Sequence, residues 1–172
     1  MNVYRSFLFT PGDHPRRVQK ALQLDADAVI LDLEDAVAVA AKVAARDAVA
    51  AALRQPRGGR AYVRVNAFET PYCFGDVQAV AGPRLDGIIL PKLEEAGQAL
   101  AVHWMLGALE RAQGMAEGSI DLLPIIETAR CGCATPSPGA RARNPIRRFR
   151  LIGYGSRPRS SVAACPAAPA PG

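Results

Sequence analysis

Residues 27–37, DAVILDLEDAV, constrain the fold of this chain more than any other stretch. The apolar run at 28–31 has no polar interruption, which is typical of a strand buried on both faces of a parallel sheet. Three carboxylates, Asp32, Glu34 and Asp35, follow it closely. Because an unpaired buried charge is very unfavourable, these groups belong at the edge of the sheet, where parallel α/β folds place their active sites. The structural alternative for Asp32 and Asp35 is to cap the next helix and pair with an arginine.

Strands and helices alternate along the first 126 residues at roughly 25–30 residues per unit, the pattern of repeated β-α units. Strands are predicted at 5–10, 28–31, 61–66, 85–92 and 120–126, helices at 15–24, 39–53 and 94–112, and one short helical turn between 71 and 85. Right-handed crossovers between such strands produce a parallel sheet. Because a complete (β/α)8 barrel needs about 250 residues, the five to six β-α units seen here predict an α/β fold that is an incomplete TIM barrel.

The apolar periodicity of the helices predicts which faces are buried. The predicted core positions are Val18, Ala21, Leu22 and Leu24 in the first helix, Val43, Ala44, Ala48, Val49 and Leu53 in the second, and Leu100, Met105, Leu106 and Leu109 in the third. Asp13 is the predicted N-cap of the first helix, because Pro15 suits the first helical turn.

Charged or polar residues stand where four of the predicted strands end. They are Asp32, Glu34 and Asp35 after the second strand, Arg64 and Asn66 at the third, Lys92 at the fourth and Glu127 at the fifth. Capping alone does not explain four such endings, since the carboxyl ends of parallel strands share one rim, the active-site face of a (β/α)8 barrel. We therefore expect five of these side chains to converge there: Glu34, Asp35, Arg64, Lys92 and Glu127.

The composition changes abruptly near residue 130. Residues 131–172 contain seven arginines and no Asp or Glu, while residues 1–130 carry two more acidic than basic side chains. We interpret residues 1–130 as a partial TIM-barrel domain. The tail at 131–172 holds a poor sixth strand at 148–155 and is expected to be disordered from about residue 156. Its arginines could contact phosphates, but its prolines and scarce aromatic residues argue against nucleic-acid binding.

Several other classes of protein are disfavoured. No run of 18 apolar residues is present, so no membrane span is expected, and the first residues lack the pattern of a secretory signal. A cytoplasmic protein with reduced thiols is predicted. Cys131 and Cys133 form a lone C-x-C pair, which is not a zinc site without a second pair at suitable spacing. His14 and His103 are isolated, and structural positions on helices are favoured for both.

Five stretches together resemble the citrate lyase beta-subunit-like branch of the HpcH/HpaI aldolase family. They are RSFLFTPGDHPRRVQKAL, DAVILDLEDAV, YVRVNAFETP, LDGIILPKLE and LLPIIETAR, in the order and spacing of that family over about residues 4–130. The resemblance implies a (β/α)8 barrel that makes or breaks a carbon–carbon bond in acyl-CoA esters with the help of Mg²⁺. The substrate would yield an acyl-CoA and a keto acid, and citryl-, malyl- and citramalyl-CoA all remain open. The intact family also implies a homo-oligomer.

The resemblance implies a role for each residue on the rim. Glu127 would be a metal ligand and, with Arg64, would contact the keto-acid fragment, whose carboxylate Arg64 binds. Glu34 and Asp35 would hold metal-bound water or orient Arg64, and Lys92 with residues 9–12 would line the substrate and CoA side. These residue types suit the reaction, because cleavage produces an enolate whose charge needs a preorganised cation. Mg²⁺ prefers oxygen ligands, and the planar fork of arginine matches a carboxylate.

The chain departs from the family pattern after Glu127. The family has a Phe-Gly-x-x-Asp-like motif there, whose Asp is the second metal ligand, whereas this sequence reads IGYGSRPRSS and contains no later Asp or Glu. Mg²⁺ binding is therefore expected to be weak, and a catalytically inactive truncated fragment is the alternative function.

A frameshift in a GC-rich gene is our hypothesis for the tail. The other two reading frames beyond codon 130 test it, since finding no apolar β-α pattern and no Asp-bearing strand end in either would refute it.

Overall fold

A computed structural model describes residues 4–125 and 127 of the chain. The strands are β1 (Phe7–Pro11), β2 (Ala28–Asp32), β3 (Arg60–Arg64), β4 (Gly87–Leu90) and β5 (Asp121–Pro124), and the helices are α1 (Pro15–Leu22), α2 (Lys42–Leu53), α3 (Cys73–Val80) and α4 (Ala96–Ala112). A 3-10 turn at Val39–Ala41 leads into α2. Every strand and helix predicted within these residues is therefore present, with ends shifted by a few residues.

The five strands form one parallel sheet in the order β1-β2-β3-β4-β5. The register places Pro11 opposite Asp32 and Asp32 opposite Arg64, so the first three strands end side by side. Within the part of the chain that the structure describes, β1 and β5 each pair with one strand only, which is the open sheet expected of an incomplete barrel. The predicted sixth strand at 148–155 and the tail lie outside the described residues.

Helices cover one face of the sheet, and the main core lies between the two layers. It includes Val29, Leu31, Val63, Ile88, Leu90 and Leu122 from the strands and Leu22, Val49, Val77 and Val102 from the four helices. The opposite face, which a barrel turns inward, carries a smaller buried cluster around Ile30, Tyr62 and Leu123. The apolar run of β2 is thus buried on both sides, and this explains its lack of polar alternation.

Helix α2 buries the predicted core positions Val49 and Leu53 but not the predicted positions at its start. Its buried residues are Lys42, Ala45, Val49 and Leu53, whereas Val43 and Ala44 are exposed. The physical reason is that the first residue of the helix, Lys42, points its ammonium at three oxygens of residues that follow the ends of β2 and β3. This orientation rotates the buried stripe away from Val43.

Two other core predictions and one cap prediction are also wrong. Leu24 lies beyond the end of α1 and is exposed, and Leu100 is exposed one turn before Trp104, which is exposed as well. The N-cap of α1 is His14 rather than Asp13, and it makes no side-chain capping bond. No helix in the described part of the chain is both long enough and apolar enough to cross a membrane.

Gly87 at the start of β4 has no room for a side chain. A Cβ atom there would lie 2.7 Å from Cδ1 of Tyr62 and 2.8 Å from the carbonyl oxygen of Asp121. We expect Gly87→Ala to lower the free energy of unfolding by about 1–3 kcal/mol, as overpacking commonly does. Urea denaturation measures the loss. Gly97→Ala is the control, because a Cβ at this helical position meets nothing within 4 Å; equal losses in both variants would contradict the argument.

Candidate active site

A buried ion pair joins the ends of β2 and β3. Nε of Arg64 donates to Oδ1 of Asp32 over 2.7 Å, and Nη2 donates to Oδ2 over 2.5 Å. The side chain of Arg64 is 14% exposed and that of Asp32 is 2% exposed. The strand register sets the two residues opposite each other, and the two-point contact is the geometry in which a guanidinium best matches a carboxylate. Asp32 therefore pairs with an arginine, which is the structural role that the sequence analysis gave as the alternative for this residue.

Asp32 also fixes the turn that follows β2. Its Oδ1 accepts a hydrogen bond from the backbone N–H of Glu34 over 2.9 Å, and its Oδ2 accepts one from the N–H of Ala36 over 3.1 Å. The N–H of Leu33 donates to the carbonyl of Arg64 over 2.9 Å. These bonds hold the turn against β3, and the carboxylates of the turn consequently face the rim.

Lys92, just after β4, draws the carboxylates together. Its Nζ lies 2.7 Å from Oε1 of Glu34 and 3.2 Å from Oδ1 of Asp35. Its backbone N–H donates to Oε1 of Glu127 over 2.9 Å. Nη1 of Arg64 lies 3.3 Å from Oε2 of Glu34 and 3.6 Å from Oδ2 of Asp35. The structure thus brings together, at one end of the sheet, all five residues that were expected to converge.

Residues 9–12 lie beside this cluster. The ring of Phe9 is 44% exposed, and its centroid is 5.4 Å from Cζ of Arg64, within reach of a cation–π contact. The N–H of Gly12 donates to the carbonyl of Asp32 over 2.8 Å, and a Cβ on Gly12 would lie 2.8 Å from the same oxygen. The close approach of these two strand ends therefore depends on a glycine at this position.

Burial dominates the ionisation of Glu34. Its side chain is 6% exposed, and burial raises the pKa of its carboxyl although Lys92 and Arg64 oppose the change. Burial also lowers the pKa of Arg64, but the hydrogen bond and charge of Asp32, with help from the other carboxylates, outweigh it, so the net direction is upward. Contact with Glu34 raises the pKa of the Lys92 ammonium. Both cations therefore stay charged at neutral pH.

A Glu34→Gln variant tests the burial of this carboxyl. A carboxyl whose pKa is higher in the folded chain than in the unfolded chain lowers stability when it is ionised. We expect the variant to be more stable than the parent protein at neutral pH. The gain should shrink as the pH falls through the raised pKa and vanish below the ordinary value of 4.5. Urea unfolding of both proteins across this range measures it, and a difference independent of pH would contradict the assignment.

A buried polar network that the sequence analysis did not predict lies behind the turn. Nζ of Lys42 donates to the carbonyl of Leu33 over 3.0 Å, to the carbonyl of Glu34 over 2.8 Å and to Oδ1 of Asn66 over 2.6 Å. Lys42 is 8% exposed and Asn66 is 2% exposed. The ammonium therefore sits among oxygens behind the same turn that Asp32 holds from the rim.

Asn66 connects this ammonium to a buried carboxylate. Its backbone N–H and its Nδ2 donate to Oδ2 of Asp76 over 3.0 and 2.7 Å. Nε of Arg46 donates to Oδ1 of Asp76 over 2.9 Å. We call Lys42, Arg46, Asn66 and Asp76 the Lys42 network. Asn66 was among the predicted strand endings. A lysine at the start of a largely apolar helix was the one further feature of the sequence that could have indicated this network.

The described residues supply an incomplete set of metal ligands. Within residues 4–125 and 127, no group of three or more His, Cys, Asp or Glu side chains is arranged to hold a metal ion. Glu34 and Asp35 contact Lys92, while Glu127 is exposed at the rim. Since Mg²⁺ is commonly bound by one or two carboxylates with water and substrate oxygens, Glu127 fits as one ligand of such a site.

Comparison with known proteins gives consistent similarities. The sequence profile described as HpcH/HpaI aldolase/citrate lyase matches residues 5–132. A (3S)-malyl-CoA thioesterase of Cereibacter sphaeroides is 44% identical over 101 residues, which are 58% of this chain and 35% of that protein. Citrate lyase subunit beta of Leuconostoc mesenteroides subsp. cremoris is 34% identical over 127 residues, 73% of this chain and 42% of that protein. The chain thus spans about two fifths of the length of these relatives.

Solved structures show the same relationship. The citrate lyase beta subunit of M. tuberculosis complexed with oxaloacetate and magnesium is 37% identical, with a TM-score of 0.57, over 74% of this chain and 51% of that one. A malate synthase of Haloferax volcanii, at 18% identity, has a TM-score of 0.74 over 87% of this chain and 49% of that one. The second similarity concerns the fold alone. The open five-stranded sheet thus resembles part of a TIM-barrel-like fold.

Proposed function

The chain belongs to the HpcH/HpaI aldolase/citrate lyase family, and we propose that it is part of a carbon–carbon lyase that acts on acyl-CoA esters. The part of the active site that it contributes would bind the keto-acid fragment. The observation that supports this proposal is the convergence of Arg64, Lys92 and Glu127 at one rim. With a divalent cation at the exposed carboxylate of Glu127, the two cations on adjacent strand ends form a site suited to a small dicarboxylate. Two relatives, a (3S)-malyl-CoA thioesterase and a citrate lyase subunit beta, support the same class of substrate, a small carboxylic acid or its CoA ester.

The proposed reaction needs positive charge near two groups, the oxygen that becomes the keto-acid carbonyl and the enolate of the acyl-CoA fragment. Removal of the hydroxyl proton from a 3-hydroxyacyl thioester turns that oxygen into the keto-acid carbonyl as the carbon–carbon bond breaks. The bonding electrons pass to the acyl-CoA fragment as an enolate, which then takes up a proton. Preorganised cations lower the barrier where such charge develops. Arg64 is held rigidly by Asp32, and its Nη1 remains directed toward Glu34 and Asp35.

The two cations have different tasks in this proposal. Asp32 occupies Nε and Nη2 of Arg64, so a keto-acid carboxylate would meet the Nη1 edge of the guanidinium. The Lys92 side chain is 46% exposed and can turn from Glu34 toward an anion, whereas Arg64 is fixed. Glu34 and Asp35 would orient these cations in the absence of substrate.

Magnesium belongs to the proposal because solved relatives hold it with oxaloacetate or with acetoacetate and coenzyme A. Glu127 would be its ligand from this chain, and bound Mg²⁺ would supply Lewis acidity at the keto-acid oxygen. No Asp or Glu follows Glu127 in the sequence, so this chain offers no second carboxylate there. That observation favours the second candidate, a catalytically inactive fragment that associates with an intact homologue.

Calorimetric titration with oxaloacetate tests the proposal. We expect binding in the presence of Mg²⁺ and its loss when EDTA removes the metal. Arg64→Met should lose this binding as well, and Arg111→Met is its matched control, since that exposed arginine pairs with Glu117 outside the cluster. The absence of oxaloacetate binding, or binding that EDTA leaves unchanged, would contradict the proposed site. Titration with citryl-, malyl- and citramalyl-CoA then distinguishes among the substrates.

A further inference from the structure

We propose that Lys42 is a positioning residue for the rim. Its ammonium holds the turn at 33–36 in the conformation that keeps the Glu34 carboxylate between Arg64 and Lys92. The importance of this position for catalysis rests on the function proposed above, whereas the effect of Lys42 on the turn does not. Lys42 contacts none of the cations and carboxylates at the rim directly, and it acts on them through the backbone.

The surroundings of Lys42 match the donor capacity of an ammonium group. A lysine has three N–H donors, and Lys42 has three acceptors, the carbonyls of Leu33 and Glu34 and the side-chain oxygen of Asn66. Among the described residues, no carboxylate pairs with it directly. A buried charge is tolerated only when it is fully hydrogen-bonded or paired. The oxygens around Lys42 therefore form a specific cation-binding environment, and two of the three belong to the turn.

The turn is held from two sides at once. On the rim side, the Asp32 carboxylate binds the backbone N–H groups of Glu34 and Ala36. On the buried side, Lys42 binds the carbonyls of Leu33 and Glu34. The Leu33 carbonyl shares a planar peptide unit with the N–H of Glu34, so the carboxylate already constrains it. The Glu34 carbonyl belongs to the next peptide unit, which the carboxylate does not bind and Lys42 does. With both contacts the peptide planes are fixed, and the direction of the Glu34 side chain follows from them.

Hydrogen exchange in the turn tests this assignment. In Lys42→Met, we expect the amides of Glu34 and Ala36 to exchange at least tenfold faster relative to the amide of Ile30 in the central strand. Leu53→Ala is the matched control. Leu53 is buried in the same helix, eleven residues away and therefore roughly 16 Å along the helix axis, so its loss should destabilise the protein without changing the ratio.

Each outcome of the exchange experiment decides the question. Faster exchange confined to Lys42→Met supports the assignment, and an unchanged ratio, or the same change in Leu53→Ala, overturns it. If Lys42→Met does not fold, Lys42→Arg replaces it, because its longer planar group keeps the charge but cannot reproduce the three contacts. In Lys42→Arg the amides of Glu34 and Ala36 should also exchange faster relative to that of Ile30, by a smaller factor. An unchanged ratio in this variant overturns the assignment equally.

Oxaloacetate affinity separates this assignment from the proposed function. Measured with Mg²⁺ below the unfolding transition of each variant, the affinity of Lys42→Met should fall at least tenfold, while that of Leu53→Ala should not. If the parent protein binds no oxaloacetate but the exchange result holds, the proposed function fails and the positioning role stands. If affinity falls while protection of the turn is unchanged, Lys42 acts in some other way and the positioning role is refuted.

Discussion

Arg64→Met is expected to lower the free energy of unfolding by about 3–5 kcal/mol, because removal of one partner from a buried ion pair leaves the other charge uncompensated. Asp32 is 2% exposed, and Arg64 donates to both of its oxygens. The backbone N–H groups of Glu34 and Ala36 would still reach Asp32, but no described cation would. Urea denaturation measures the loss by linear extrapolation, and oxaloacetate binding should disappear in the same variant.

Two further variants identify the cause. Arg111→Met removes an exposed ion pair with Glu117 and should change stability little, as is usual for surface pairs. The double variant Asp32→Asn with Arg64→Met removes both charges, so it should recover part of the lost stability. A loss in Arg64→Met no larger than that in Arg111→Met would mean that Asp32 is compensated by another group. Equal losses in the single and double variants would show that charge is not the cause.

Glu127→Gln is expected to abolish Mg²⁺-dependent cleavage in a version of the protein that carries the Asp-bearing strand and the remaining units of the barrel. Loss of a group that only orients a metal ligand commonly reduces affinity or activity by about 10–100-fold, so loss of the ligand itself should have at least that effect. The amide of glutamine keeps the size of the side chain but removes its charge. Turnover of malyl-, citryl- and citramalyl-CoA, followed with and without EDTA, measures the change.

Glu117→Gln is the control for this experiment, since Glu117 pairs with Arg111 at the surface and should leave turnover unaltered. The 172-residue chain itself is expected to show little or no turnover, because water can replace a missing oxygen ligand but not its negative charge. Robust cleavage by this chain would show that the second carboxylate is dispensable. It would also show that the role given to Glu127 is wrong or incomplete.

The order of elements and the meeting point of the rim residues could be predicted from the sequence. Parallel strands with apolar centres and polar ends bring those ends to one edge, whatever the details of the loops. The convergence of Arg64, Lys92 and Glu127 follows from this topology alone. Their chemical roles do not follow from it, because the same residues could form a purely structural set of ion pairs. Those roles stay predictions until the variants are measured.

The sequence could not reveal which partner each charge would take. Arg64 was expected to bind substrate, and its two-point contact with Asp32 depends on strand register rather than on any local pattern. Lys42 was missed for a related reason, since its acceptors are backbone carbonyls, which every residue carries. A periodicity argument assigns apolar residues to the core, so it placed Val43 inward. The polar contacts of Lys42 reversed that choice.

The charges at the rim have a consequence for the order in which ligands arrive. Four carboxylates lie there, Asp32, Glu34, Asp35 and Glu127, with two side-chain cations, Arg64 and Lys92. The excess charge is negative, and keto acids and the phosphates of CoA are anions, which feel that repulsion within a Debye length of about 8–10 Å. With a divalent cation already at Glu127, the local excess is neutralised. Association of the anion would then depend on prior occupancy by the metal, and its observed on-rate would rise with Mg²⁺ concentration until the metal site saturates.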